Sequence, residues 1–328
     1  MARAREQDLL LAASMYYSHA YTMDAVARRL GTSRSTVSRL LKAARDEGIV
    51  TITIRDPLEH RLGVSQAIKE QFGVETHIVP LPDDAGELER LTLVATAAAR
   101  VLGTWMDSSM VLGIAWGTTT TAISRELSPK AIRGAVVVQL NGAANTRTSG
   151  IAYAGALMSR FAEAFNASIL DFPVPAFFDF AQTKDLMWRE RSVSRVLDVQ
   201  AHADIALFSV GAVAGSLPSH VYSAGYLEPQ DMQILRDEGV VGDVCTVFLR
   251  PDGSYADIEL NKRASGPTPA QLLAIPRRLC AVAGDAKVEG LLAALRAGVA
   301  TDLVVDERTA SLLVQLIQTS GNGRGRLG

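Results

Sequence analysis

Cysteine is scarce: Cys245 and Cys280 are the only two among 328 residues. Both lie in apolar, strand-like runs at no metal-ligand spacing, which excludes a disulfide framework and a zinc site and leaves two reduced, buried thiols. No apolar run approaches the ~20 residues needed to span a bilayer. The opening MARAREQDLLLAASMYY has too short an apolar core for a secretory signal, and its Leu and Ala spacing fits an amphipathic first helix. The protein is therefore expected to be cytoplasmic and off the membrane. Strong overall charge is also lacking, since the net value is −2. Its distribution is uneven, however. Through residue 56, nine basic residues face six acids, which makes that part +3 and the remainder −5. A basic head on an acidic body can dock on DNA by one end.

The head has one further absence. From Arg28 to Arg45 there is no acid, while Arg28, Arg29, Arg34, Arg39, Lys42 and Arg45 are basic. Around them, TMDAVARRLGTSRSTVSRLLKAARDEGIV (22–50) reads as two short helices and a tight turn. Val26, Ala27 and Leu30 form one apolar stripe, Gly31 supplies the turn, and Val37, Leu40, Leu41 and Ala44 form the second. Thr22 and Ser33 suit the N-cap positions. Arg34, Ser35, Thr36, Ser38, Arg39 and Lys42 remain for the outer and flanking faces of a DNA-reading helix. Its N-terminal Arg34, Ser35 and Thr36 face base edges, and Arg39, Lys42 and Arg45 hold phosphates.

A prior of roughly 150 residues per domain suggests two domains. We place a helix-turn-helix domain at 1–56, a linking helix at 57–74, an effector-binding and oligomerisation domain at 75–320, and a flexible tail at 321–328. The first helix is expected over Glu6–Ser18, and the alternation in IVTITI (49–54) predicts a short wing strand. Leu58, Leu62, Ser65, Ile68 and Phe72 fall on one face of the linking helix. Beyond Glu75, apolar runs at 77–81, 110–115, 135–140, 204–211, 244–249, 279–284 and 302–306 alternate with helices near 86–102, 118–127, 150–165, 227–238, 286–297 and 307–318. Continuous apolar runs predict strands buried on both faces, hence a Rossmann-like α/β domain with a largely parallel sheet.

Ligands collect at the carboxyl ends of such strands. GIAWGTTTT (113–121) is a strand, a glycine turn and a helix opening with hydroxyls and free N–H groups, suited to a phosphate or polyol. It lacks the lysine of a nucleotide P-loop, which argues against ATP or GTP. Thr118 and Thr119 as mere caps, with Trp116 as mere packing, fit the residues equally well. Lys287, in GDAK (284–287), stands at a helix N-terminus, the wrong end for a cation unless an anion sits beside it. Asn141-Gly142, Gly211 and Gly242-Asp243 mark further strand ends, and Asp243 can accept hydrogen bonds from sugar hydroxyls.

Head and body together resemble the SorC family of bacterial sugar-responsive transcriptional regulators. The resemblance rests on LGTSRSTVSRLLKAARDEGIV in the head and, in order along the body, on GIAWGTTTTA, VVQLNGA, VPAFF, ADIALFSVG, EGVVGD, DGSYADIELNKRASG, AVAGDAKVEGLLAALRAG and LVVDERTA. It implies a body similar in fold to sugar-phosphate isomerases that holds a carbohydrate without turning it over. It also implies dimers or tetramers on long palindromic operators. The resemblance places Trp116, Gly117, Thr118 and Thr119 around the phosphate or hydroxyl end of the effector, with Asn141 and Gly142 beside it. Pro175 would form part of the wall, and Asp243 and Lys287 would supply polar contacts. Where the family often carries a second glycine before the lysine, this chain has Asp285. An acid there would repel a phosphate, and with the acidic body it favours an unphosphorylated sugar or polyol.

The leading expectation is thus a regulator whose operator binding is controlled by a small carbohydrate, with no cofactor and no metal. The alternative is an isomerase-type enzyme carrying a DNA-binding head. His77, His202 and His220 lie outside the strand-end loops best placed for the pocket, which leaves Asp243 and Glu307 as its acids. A body that only oligomerises is the third reading. Activation and repression are equally compatible with the residues.

Overall fold

In the computed structural model, which describes residues 2–50, 57–82, 84–213 and 219–322, contacts divide the chain into two units, Met1–His60 and Arg61–Gly328. The first unit is helical: α1 (Ala2–Ala13), a π-helical turn at Ser14–Ser18, α2 (Met23–Arg29) and α3 (Arg34–Asp46). The expected Glu6–Ser18 helix therefore starts earlier and changes pitch after Ala13. The Thr22 hydroxyl accepts the Ala25 N–H at 3.2 Å and the Ser33 hydroxyl accepts the Thr36 N–H at 3.2 Å, so each cap satisfies a first-turn donor. Gly31 turns the chain with φ +61°, which an L side chain rarely adopts. Leu9, Ala12, Val26, Val37, Leu41 and Ala44 are buried as one small core. Leu40, expected in that stripe, is only half-buried. Ile49 and Val50 pack against this core. The rest of the expected wing, and the tail beyond Asn322, lie outside the described residues.

From Pro57 the chain runs through α4 (Pro57–Phe72), which enters the second unit at Arg61, then β1 (Glu75–Val79), α5 (Glu87–Trp105), β2 (Val111–Ile114), α6 (Thr118–Arg125), β3 (Val136–Gln139), α7 (Ile151–Phe165) and β4 (Ser168–Leu170). It continues through α8 (Ala181–Met187), α9 (Arg191–Ala201), β5 (Ile205–Phe208), β6 (Val210–Gly211), α10 (His220–Ser223), α11 (Pro229–Asp237), β7 (Gly242–Val244) and β8 (Val247–Leu249). The last elements are α12 (Pro269–Leu272), β9 (Arg277–Val282), α13 (Val288–Arg296), β10 (Asp302–Asp306) and α14 (Glu307–Asn322). Seven strands form a parallel sheet in the order β1-β10-β9-β5-β2-β3-β4.

Helices cover both faces, and the period of two sorts the strands between them. Ile205, Leu207, Leu279, Ala281 and Val304 join the core under α5, α6 and α7. Ala206, Phe208, Cys280, Val282, Leu303 and Val305 join the core that holds Val64 and Ile68 of α4 with α13 and α14. Leu58 and Leu62, on the same face of the linking helix as Ile68, are exposed.

Two expectations fail on particular residues. The run 244–249 is not one strand of the main sheet. Cys245 and Thr246 take φ of +51° and +70°, and the run folds into an antiparallel hairpin, which with β6 forms a second, three-stranded sheet. The run 204–211 likewise splits at Ser209 between the two sheets. The edge strand β4 and helices α8, α9, α10 and α12 lie in stretches with no long apolar run. Ser168 and Ile169 are exposed, so nothing in their sequence had to be apolar. Both cysteines are free and buried.

Candidate functional site

Each unit presents polar side chains that its core leaves over. In the first unit, burial of Val37, Leu41 and Ala44 turns the opposite face of α3 outward. Arg34, Ser35, Ser38, Arg39 and Lys42 are exposed and Thr36 is half-buried. Thr36 also shares a hydrogen bond with Ser33 at 2.9 Å, which ties it to the cap. Arg34 makes a 4.0 Å contact with Asp24, an exposed and weak pair. Arg45 donates to the Tyr17 hydroxyl at 3.2 Å, so part of its hydrogen bonding is already used within the unit.

In the second unit, the strand order reverses at β2 and β5. β3 and β4 follow on one side, and β9 and β10 on the other. A crevice at the carboxyl ends of strands is expected at such a switch, and one cavity lies there. Its wall includes Trp116, Gly117, Thr118, Thr119, Asn141, Asp243 and Lys287, seven of the nine residues expected to meet an effector. Gly142 and Pro175 are not on that wall. Gly142 stands behind it, where its carbonyl accepts the Trp116 indole N–H at 2.8 Å and its N–H donates to the Ser265 hydroxyl at 2.9 Å. A Cβ on Gly142 would collide with the carbonyls of Val174 and Pro175. These two residues therefore fix the shape of the wall from outside.

The cavity wall carries one lysine, Lys287, and two carboxylates, Glu87 and Asp243. The half-buried Lys287 donates to the Thr119 hydroxyl at 3.2 Å and lies 3.5 Å from the Ser209 hydroxyl. Burial lowers its pKa, against the pull of Cys280 and Asp243. It makes no ion pair within 4.0 Å among the described residues. Beside it the first-turn N–H groups of α6 have no acceptor within the helix. Across the cavity Asp243 is buried, and its Oδ2 accepts the Thr246 N–H at 3.1 Å while Oδ1 has no hydrogen-bond partner among the described residues. Burial pushes its carboxyl up to about 6, opposed by Thr246, Tyr222 and Lys287. The left-handed Cys245-Thr246 turn brings the Thr246 N–H back onto that carboxylate, and only a glycine at 211 leaves room for it.

Asp285, expected to repel a phosphate, is absent from the wall. Its carboxylate accepts from Arg90 at 2.7 Å and from Arg308 at 2.8 Å, so its charge is compensated and directed elsewhere. Glu307 is also away from the cavity, paired with Arg61 at 3.4 Å. His220 is the opposite case. It was expected away from the pocket, yet α10 carries it onto the wall, stacked on Tyr153 at 4.5 Å between ring centres. Burial lowers its pKa, which favours the neutral ring. Ser209, Cys245 and Thr246 also line the cavity. Ser209 was legible as a strand-end hydroxyl, whereas the other two depend on a hairpin that the apolar run conceals. Among the described residues no group of three or more His, Cys, Asp or Glu side chains is placed to hold a metal ion.

The same two-part arrangement is found in known proteins. Residues 56–315 match the family described as "Putative sugar-binding domain". The chain is 31% identical over 318 residues to the deoxyribonucleoside regulator of Bacillus subtilis (strain 168), covering 96% of this chain and 99% of that protein. The crystal structure of a domain of a possible sugar-binding transcriptional regulator from Arthrobacter aurescens TC1 superposes with a TM-score of 0.75 at 49% identity. It covers 80% of this chain and 100% of that one. The full-length sorbitol operon regulator SorC of Klebsiella pneumoniae shares the fold, with a TM-score of 0.69 at 23% identity over 93% of this chain and 98% of its own. No helix among the described residues is long and apolar enough to cross a membrane.

Proposed function

The chain belongs to the SorC family of sugar-binding bacterial transcriptional regulators, and we propose on that footing that it binds operator DNA through α3 and that a small carbohydrate sets its affinity for that DNA. Arg34, Ser35 and Thr36 read base edges, while Ser38, Arg39 and Lys42 flank them and hold phosphates. Each chain carries one reading helix. A palindromic operator supplies a matching half-site for a second copy, so a homo-oligomer is the working form. The effector occupies the cavity at the sheet switch and is bound without turnover.

The observation that carries the effector reading is Lys287. A half-buried ammonium with hydroxyl neighbours and, among the described residues, no carboxylate within 4.0 Å, beside the open first turn of α6, leaves room for a counter-ion at contact distance, which a carbohydrate's anionic group would supply. Asp243 and Asn141 lie on the same wall and suit sugar hydroxyls. With Asp285 turned toward Arg90 and Arg308, the argument for an unphosphorylated sugar loses its main support, and a sugar phosphate becomes the better fit. A thermal-shift screen of the full chain against sugars, polyols and their phosphates tests this. A phosphate that raises the melting temperature saturably in the wild type and not in Lys287→Met is the expected result. A free polyol that stabilises both equally, or turnover of any aldose or ketose phosphate, contradicts it.

A further inference from the structure

The lysine-bearing wall of the cavity is held by a side chain that does not reach the cavity. Arg90, from α5, is 4% exposed and absent from the cavity wall. Its Nη2 shares its two hydrogens among Asp285 at 2.7 Å, Asp306 at 2.8 Å and Thr309 at 2.9 Å. Asp306 and Thr309 in turn accept the N–H of Gly284, at 3.2 and 3.1 Å. Gly284 and Lys287 are wall residues, so one buried guanidinium fixes both ends of a hydrogen-bonded clamp on the segment that presents the lysine. The residue after Asp306 is Glu307, and it accepts from Arg61 of α4 at 3.4 Å, with both side chains about a quarter exposed. Helix α4 is also the segment through which the chain leaves the sheet unit toward residue 57.

We infer that Arg90 is a positioning residue for the effector wall, and that the Asp306-Glu307 step mechanically ties this wall to α4 through Arg61. The inference rests on the reading that the cavity binds an anion, and it adds a route by which occupancy is felt at the helix leading to the DNA-binding unit. Displacement of Gly284 on binding strains its bonds to Asp306. Because Asp306 ends β10 and Glu307 opens α14, a shift of either changes the grip on Arg61. Coupling is reciprocal, so releasing Arg61 must loosen the wall.

This reciprocity allows a test without the natural effector. Amide hydrogen exchange is measured on the full-length protein as wild type, Arg61→Ala, Glu307→Gln and Lys69→Ala, the last of which breaks the exposed pair between Lys69 of the same helix and Glu75 of β1. Arg61→Ala and Glu307→Gln should each speed exchange at 284–287 by about twofold to thirtyfold, the range such networks carry, while Lys69→Ala leaves that segment unchanged. Acceleration confined to α4, or an equal effect of Lys69→Ala at 284–287, overturns the tie. A second arm adds inorganic phosphate to the wild type and to Arg61→Ala. Phosphate should slow exchange at 284–287 in both proteins but at α4 in the wild type alone. Slowing at α4 in both overturns the tie. No slowing at 284–287 in the wild type counts against the anion reading of the cavity, while the ligand-free result still decides the tie.

Discussion

The two units use charge in opposite ways. On α3 the basic side chains are exposed, and Arg34, at 69% side-chain exposure, makes a 4.0 Å contact with Asp24. In the cavity, Lys287 is half-buried and Asp243 is 4% exposed, each held by named hydroxyl or backbone partners. Exposed charges act over a Debye length, are screened by salt and contribute little to folding. Enclosed charges act at short range, alter the stability of the protein that holds them and respond to pH. A surface of the first kind suits a long polyanion with many equivalent phosphates. A cavity of the second kind suits one small ligand with one orientation.

The largest expected effect sits in the cavity. Lys287→Met should weaken binding of an anionic carbohydrate by about 2–5 kcal/mol, with little dependence on salt, as titration calorimetry at two ionic strengths would show. A loss that fades at high salt would make the cavity resemble the surface of α3 and break the contrast. Asp243→Asn comes next. The folded carboxyl titrates at about 6 against 3.8 for the free group, so the folded state holds its proton more tightly. Stability then falls as pH rises from about 4 to about 6, by about 3 kcal/mol at most. Urea titrations of Asp243→Asn should lack this decline, making the variant more stable than the wild type above pH 6 and not below pH 4. An unchanged pH profile would show that the carboxylate is not desolvated.

On α3 the expected effects are smaller and local. Arg34→Ala should cost about 1–3 kcal/mol in operator affinity and leave both effector affinity and melting temperature unchanged; a loss of stability would mean that the side chain is structural. Ser33→Ala removes the acceptor for the Thr36 N–H and should destabilise the first unit by about 1 kcal/mol. Circular dichroism melts would register that change, while carbohydrate binding stays as in the wild type.

Much of this contrast was legible in the chain because it follows from local pattern. The stripe Val37, Leu41, Ala44 dictates which α3 residues face outward, and Ser33 and Thr22 cap as their hydroxyls require. The seven strands of the parallel sheet include β2, β3, β5, β9 and β10, whose apolar runs announce burial on both faces. What was not legible depends on contacts distant in sequence. The hairpin at Cys245-Thr246 is hidden because both of its arms are as apolar as a core strand. The direction of Asp285 is set by Arg90, nearly two hundred residues earlier, and no spacing within GDAK reveals it. His220 reaches the cavity through a four-residue helix too short to carry a periodic signal.

The central claim is that one chain holds two separate sites joined by a free-energy coupling. The most direct test recovers an operator from a random-sequence DNA pool with the full-length protein, then measures its affinity with and without a carbohydrate phosphate that binds in the thermal-shift screen. The account predicts a change of about fivefold or more in the wild type and none in Lys287→Met, whose affinity for DNA without the ligand remains that of the wild type. An identical change in both proteins, or no change with a carbohydrate that demonstrably fills the cavity, would contradict it.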